Sequence, residues 1–428
     1  MSTRKAELNR RGFLSGSLLL VAGAVTACSS NPVGKSSGSS GGGSGKTTLN
    51  VWFHAYGEAG TQDAVIRYGK AFTAANPDIQ VKVSWIPGDY TSKLYSTLLT
   101  PDAPDVFEYG DFNVALAHHG QIADLSDLYG DAKSDFAQGD IDFVTVDGKQ
   151  YGIKMLDDLM MLYYRKSVLS KAGIQPPQTF SDLASAAKAL STGGNKGLFI
   201  GNDGVGDIPA LAVWANGGEL VKDNKAAFAG DAAVQAIAAL KQLHDDKSVL
   251  LGFPTDWADP SAFTQGVVPM QWSGLWAMPQ IQKELGDDFG ILPWPGATAG
   301  TGAVRVGGWT SMVNAKGKNV DAAKKFVQWL WVQQTDLQKD FAESYGFHIP
   351  PRKSVAASAD KLAAGAPKDA VALSQKYGHS FPATWNTSVS DIFTAAAGKV
   401  MTGGASDAAK ALSDAAASAQ SEIDKQLV

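Results

Sequence analysis

Between Leu49 and Ala123 the chain alternates strand-like and helix-like runs at short spacing, and this alternation restricts the fold more than any other feature. "LNVWFH", "IQVKVSW" and "PDVFEYG" read as strands. "TQDAVIRYGKAFTAANP" reads as a helix stopped near Pro77, and "YTSKLYSTLLTP" and "NVALAHHG" as two more. Strands separated by helices of this length build βαβ units and a parallel sheet. "FVTVDGKQYGI" then predicts a hairpin with Asp147-Gly148 at its turn. A second α/β region follows. "LMMLYY", "GLFIG", "VVPMQW", "DDFGILPW" and "RVGGWTSMVN" are each expected as a strand. "KSVLSKAG" forms a helix closed by Gly173, and "TFSDLASAAKAL" a helix capped by Thr179 or Ser181. "DAAKKFVQWLW", "TDLQKDFAESYG" and the Ala-rich tail from Asp369 are helical. Some 380 residues of such material exceed what one core holds, so two lobes are expected.

The stretch before the first strand is of another kind. Arg4, Lys5, Arg10 and Arg11 precede a short apolar run, Leu18 to Ala27, too short to span a bilayer. Arg10-Arg11 followed by Gly-Phe-Leu resembles a twin-arginine export signal. Val25-Thr26-Ala27-Cys28 is similar to the lipobox of bacterial lipoproteins, which implies a diacylglyceryl group on Cys28, the only cysteine of the chain. Ser29 to Gly45 reads as a Gly/Ser tether spanning about 23 Å on average. Residues 1–27 are thus read as signal and 28–45 as anchor and leash. "GSGKTT" at its end is no phosphate loop, because Ser40 stands where a Gly is required and a strand follows instead of a helix.

Residues 1–27 contribute four of the 37 basic and one of the 42 acidic side chains. The remainder therefore carries 33 and 41, a net charge of −8, without the basic face a nucleic-acid partner needs. No later run is apolar and long enough to be a transmembrane helix. His118 and His119 diverge by about 100° on a helix and cannot chelate one ion together. There is no HExxH, no Cys cluster and no G-x-S-x-G elbow. No catalytic set, metal or cofactor is expected.

Several segments together resemble the sugar-binding receptors of bacterial ABC importers, the extracellular solute-binding family that includes maltose-binding protein. They are "APDVFEYGDFNVALAHHGQIADLSDL", "VDGKQYGIKMLDDLMMLYYRKSVLSKAGIQPPQTFSDL", "FTQGVVPMQWSGLWAMPQIQKELGDDFGILPWPG", "VGGWTSMVNAKGKNVDAAKKFVQWL" and "SYGFHIPPRKS". The resemblance implies a two-lobe type II periplasmic-binding-protein fold of α/β lobes with the ligand cleft between them. It places 46–156 plus 294–352 in lobe 1 and 157–293 plus 353–428 in lobe 2, with crossings near Met155–Asp158, Pro293–Pro295 and Pro350–Lys353. It implies a monomeric, non-enzymatic receptor that is exported, lipid-anchored to the outer face of the cytoplasmic membrane, and hands a carbohydrate to permease subunits.

Sugars offer apolar faces and a belt of hydroxyls, which flat aromatics and carboxylates complement. Six of eleven tryptophans fall between Trp214 and Trp309. Trp309 follows Gly307-Gly308, which lets a ligand approach the backbone. The resemblance adds Trp276 after "QWSG" and Trp385 in "FPATW" as stacking positions, with Trp214 and Trp257 as further candidates. Asp111, after the strand end "VFEYG", faces the cleft in the family, and Glu108 is its neighbouring candidate. Asp158, or Asp157 beside it, matches a hinge-side acid. His54, Tyr56 and Glu58 lie in the first strand-to-helix loop. Arg352 either binds ligand or pairs with an acid at the hinge. A polyol, polyamine or peptide receptor of the same fold is the nearest alternative. A secreted glycosidase and a surface adhesin are the rivals from other classes.

Overall fold

The computed structural model describes residues 46–55, 60–110 and 112–427. The export signal, Cys28 and the tether lie outside these, as do Tyr56, Glu58 and Asp111. Two sheets carry the architecture. The first contains β1 (Thr47–His54), β2 (Ile79–Ile86), β3 (Val106–Tyr109) and β4 (Ile153–Leu156). The second begins with β5 (Leu159–Tyr164), β6 (Met270–Gly274), β7 (Gly290–Leu292), β8 (Trp294–Pro295) and β9 (Gly302–Val306). β10 (Trp309–Val313) returns to the first sheet and β11 (Gly378–His379) joins the second. The first sheet runs β2-β1-β3-β10-β4; the second runs β6-β5-β9-β8, with β7 on β5 and β11 on β9.

The parallel pairing expected from the opening alternation is present, since β1 pairs with both β2 and β3 in parallel. Leu49, Val51 and Phe53 alternate into the core, and Ala64, Val65, Tyr68 and Phe72 of helix Thr61–Ala75 cover them at helical spacing. The predicted hairpin forms with Asp147 at φ 49° and Gly148 at φ 78°, the left-handed pair that a tight type I′ turn requires. Thr179, not Ser181, caps helix Phe180–Leu190, in a reciprocal box with Asp182.

The second sheet is different in kind: β5 is antiparallel to β6, β7 and β9. Three sequence expectations are corrected here. "GLFIG" makes only single bridges, Leu198 with Val249 and Phe199 with Gln271, because it lies beside the sheet edge and not in it. "RVGGWTSMVN" is two strands in two sheets, broken at Gly307-Gly308. Gly308 sits at φ 115°, and a Cβ there would lie 2.1 Å from the Leu156 carbonyl oxygen, so only glycine turns the chain at that point. Residues 294–306 pair within the second sheet, so the return passage falls at 307–308 and not at Pro293–Pro295.

Asp157 and Ile349 exchange backbone hydrogen bonds of 2.8 and 2.9 Å, and Gly307 N–H donates to the Asp158 carbonyl at 2.8 Å. These bonds form a narrow seam where three passages of chain run side by side. On one side of it, cores gather around Leu49, Phe72 and Trp331 and around Tyr90, Phe107 and Met312. On the other, a larger core runs from Met160 to Ile423 and includes Trp272, Trp294 and Trp385. The last two helices, Thr387–Met401 and Ala408–Gln426, pack into this second core through Phe393, Leu412 and Ile423. Gln426, in the final turn, donates to the Thr384 carbonyl at 3.0 Å, and its own carbonyl lies 2.7 Å from Nδ1 of His118 beyond the seam.

Candidate functional site

The carboxyl ends of β1 and β3 and the start of β10 converge on one aromatic group. Trp309, half-buried, lies 5.4 Å from the His54 ring and 6.3 Å from Tyr90, between ring centroids. A Cβ at Gly110 would touch the indole at 3.4 Å, so the bare backbone of Gly110 supports the ring. Tyr90 donates from its hydroxyl to the Glu108 carbonyl at 2.7 Å, and the Glu108 carboxylate accepts the His54 backbone N–H. Glu108 is therefore buried and holds neighbouring strand ends together. Burial lowers the His54 pKa, which keeps its ring neutral at neutral pH.

A second platform lies at the end of β6. The indole of Trp276 rests on Gly274, where an added Cβ would sit 2.1 Å from the ring. Its N–H donates to the Ala258 carbonyl at 2.9 Å, and its edge meets Trp257 at 5.8 Å. Buried Gln271 fixes that loop, donating to the carbonyls of Trp257 and Asp259 and accepting from Phe263 N–H. With the indole N–H already engaged, Trp276 offers an apolar face and no free donor.

A third group extends from β11. Trp214 stacks on His379 at 5.2 Å and meets Phe381 at 5.3 Å, and Phe381 lies parallel to Trp385 at 5.8 Å. The Arg305 guanidinium stands 4.7 Å over Phe381 and forms an ion pair with Asp207. Asp207, Arg305, Phe381, Trp385 and the start of helix Thr387–Met401 line a cavity of about 190 Å³. Trp385 is 4% exposed, and its N–H has no acceptor among the described residues. Two larger cavities, of about 320 and 240 Å³, share Pro295 in their linings and include none of the candidate ligand-binding residues.

The remaining candidates lie at or near the seam. Asp158 is 5% exposed and paired with His348 at 2.5 Å. Asp157 is buried beside Lys154 at 3.2 Å. Arg352 is engaged by Asp135 at 2.8 Å, by the Val332 carbonyl and by the face of Phe136. Thus His54, Glu108 and Trp309 come together, Trp257 joins Trp276, and Trp214 joins Trp385, whereas Arg352 is held apart by its own partners. Tyr90, Asp207, Arg305 and Phe381 were not anticipated. Asp207 precedes Ile208-Pro209, a helix-start signature that could have flagged it, and Arg305 is a lone charge in an apolar strand run. Among the described residues, no three acidic, His or Cys side chains are placed to hold a metal, and no helix is long and apolar enough to cross a membrane.

Known proteins of this architecture can be set beside these features. The GacH receptor of Streptomyces glaucescens superposes with a TM-score of 0.75 at 23% identity, covering 89% of this chain and 99% of its own. Maltose-bound MalE3 of T. maritima gives 0.71 at 20% identity, over 87% and 99%. These likenesses show the two-lobe periplasmic-binding-protein fold. Diacetylchitobiose binding protein DasA of Streptomyces coelicolor is 28% identical over 251 residues, 55% of this chain and 58% of that protein. The arabinooligosaccharide-binding protein of Bacillus subtilis is 24% identical over 337 residues, 72% and 73% of the two chains. The family model described as "Bacterial extracellular solute-binding protein" matches residues 67–373, and this chain belongs to that family.

Proposed function

We propose that this protein is the carbohydrate receptor of a bacterial ABC importer, one that takes a sugar between its two lobes and presents it to membrane permease subunits. The observation that carries this reading is a pair of indole platforms on opposite sides of the seam, Trp309 over Gly110 and Trp276 over Gly274. Each offers a flat apolar face, which suits the C–H face of a pyranose and not a charged solute. Asp207 and Arg305, which line the cavity beside Trp385, supply polar groups for ligand hydroxyls. Relatives named for diacetylchitobiose and arabinooligosaccharide support a sugar as cargo.

The first lobe takes residues 46–157 and 308–362, because residues 352–361 bind Asp135, Lys339 and Glu343, and the second takes 158–307 and 363–428. The ligand leaves chemically unchanged, because the receptor catalyses nothing. It works as a monomer outside the membrane, held by a lipid on Cys28 and a tether of residues 29–45. The reading is tested by titrating residues 46–428 with mono-, di- and oligosaccharides and polyols while following tryptophan fluorescence. A saturable change with at least one saccharide is expected; a folded protein silent across the series defeats it. Mass spectrometry of the membrane-extracted protein checks for diacylglycerol on Cys28.

A further inference from the structure

The seam contains an odd number of buried charges. Asp140, on helix Gln138–Phe143, is 8% exposed; Asp157 is 7% and Lys154 is 4% exposed. Lys154 lies 3.2 Å from Asp157, donates to the Gly307 carbonyl at 3.0 Å and stands 4.8 Å over the Phe143 ring. It can balance one carboxylate and not two. A buried charge without a counter-charge is strongly destabilising. Asp140 Oδ2 is a buried oxygen that receives no hydrogen bond, and Asp157 Oδ1 has only the Lys154 ammonium beside it. The two carboxyl groups face each other, and two bare carboxylates side by side in a buried site repel and can share no hydrogen bond without a proton.

We propose that a single proton, carried by Asp140 and donated to the Asp157 carboxylate, is a structural component of the seam, and that its removal at raised pH loosens the joint between the two sheets. The proton belongs on Asp140 because Lys154 favours the charged form of Asp157. Asp157 in turn exchanges backbone hydrogen bonds with Ile349, so the carboxyl pair ties its helix to two of the three passages, and Lys154 reaches the third at Gly307. The other groups facing the pair are Asp158, already matched with His348, and Tyr129, whose hydroxyl donates to the Gly152 carbonyl. Neither contributes a second positive charge in contact with Asp140. Burial, followed by the Asp157 charge, raises the Asp140 pKa well above the ordinary carboxyl range, and Lys154 only partly offsets this. A raised folded-state value means that the stabilisation is complete at low pH and is lost as pH rises through that value.

The test needs no ligand, so its outcome is independent of what the cleft binds. In Asp140→Asn the amide replaces the carboxyl as donor. The melting temperature of wild type is expected to fall by several degrees as pH rises above the ordinary carboxyl range, and that of Asp140→Asn to stay level over the same range. Infrared difference spectroscopy of folded wild type with ¹³C-labelled aspartate is expected to show a protonated carboxyl band at neutral pH. That measurement stands even where the variant fails to fold. Equal alkaline slopes for wild type and variant, or no protonated band at neutral pH, would overturn the proposal.

Discussion

Trp276 shows what one residue owes to its neighbours. Its ring lies flat only because residue 274 has no side chain, and its N–H is occupied by the Ala258 carbonyl. Trp276→Ala is therefore expected to weaken saccharide binding by roughly 1–3 kcal/mol, the scale of one buried apolar face, with little change in melting temperature. Gly274→Ala should give a similar loss of affinity with all the tryptophans still in place, because a methyl group 2.1 Å from the ring must push it aside. Calorimetric titration of both variants checks the pair, and a Gly274→Ala protein that binds normally would separate the platform from the site. The candidacy of Trp276 was legible from its place after "QWSG", but the glycine beneath it was not. A glycine's closeness to a ring two residues on depends on a backbone turn that no periodicity records. The clustering of Trp214 with Trp385 was hidden for a similar reason, since 170 residues separate them and His379 and Phe381 make the link.

At the scale of elements, the sequence "RKSV" occurs twice, at 165–168 and 352–355, each time leading into a short helix. Both copies build the same clasp. Asp288 accepts from Arg165, from Ser167 N–H at 2.7 Å and from the Ser167 hydroxyl at 2.6 Å. Asp135 accepts from Arg352, from Ser354 N–H at 2.9 Å and from the Ser354 hydroxyl at 2.5 Å. Partial burial works to raise both carboxyl pKa values, but the serine and arginine contacts outweigh it and hold them below the usual range. Such depressed values stabilise the fold above the unfolded-state pKa and lose that contribution as pH falls through the folded one. Asp288→Asn is thus expected to flatten the acid limb of a melting-temperature profile relative to wild type, opposite in sign to the alkaline effect at Asp140. Strands and helices were legible wherever an apolar period ran unbroken, as in β1 and helix Thr61–Ala75. Reading failed at Gly307-Gly308, where one continuous β pattern covers strands of two different sheets. Hydrophobic alternation specifies that a residue is buried in a sheet but not in which one.

For the whole molecule, two sheets are joined at a seam of three short passages and by the contact of His118 with the Gln426 carbonyl, and the proposed function requires them to turn toward each other. A ligand that touches both platforms favours the closed arrangement by its differential affinity and by nothing else. The radius of gyration from solution scattering is expected to decrease when a bound saccharide saturates residues 46–428, and unchanged scattering at saturation would rule out closure. The two-lobe division was legible from length and alternation alone, whereas the partners that lock Asp158 and Arg352 lie nearly 200 residues or more away in the chain and left no local signal. The larger of the lobe cores runs from Met160 to Ile423. A nascent chain therefore cannot seal that core while its final helix is still inside the ribosome. Until helix Ala408–Gln426 is free to dock, Trp272, Trp294 and their neighbours wait for the last members of their core, so the second lobe matures only once that helix arrives, whatever the first has already achieved.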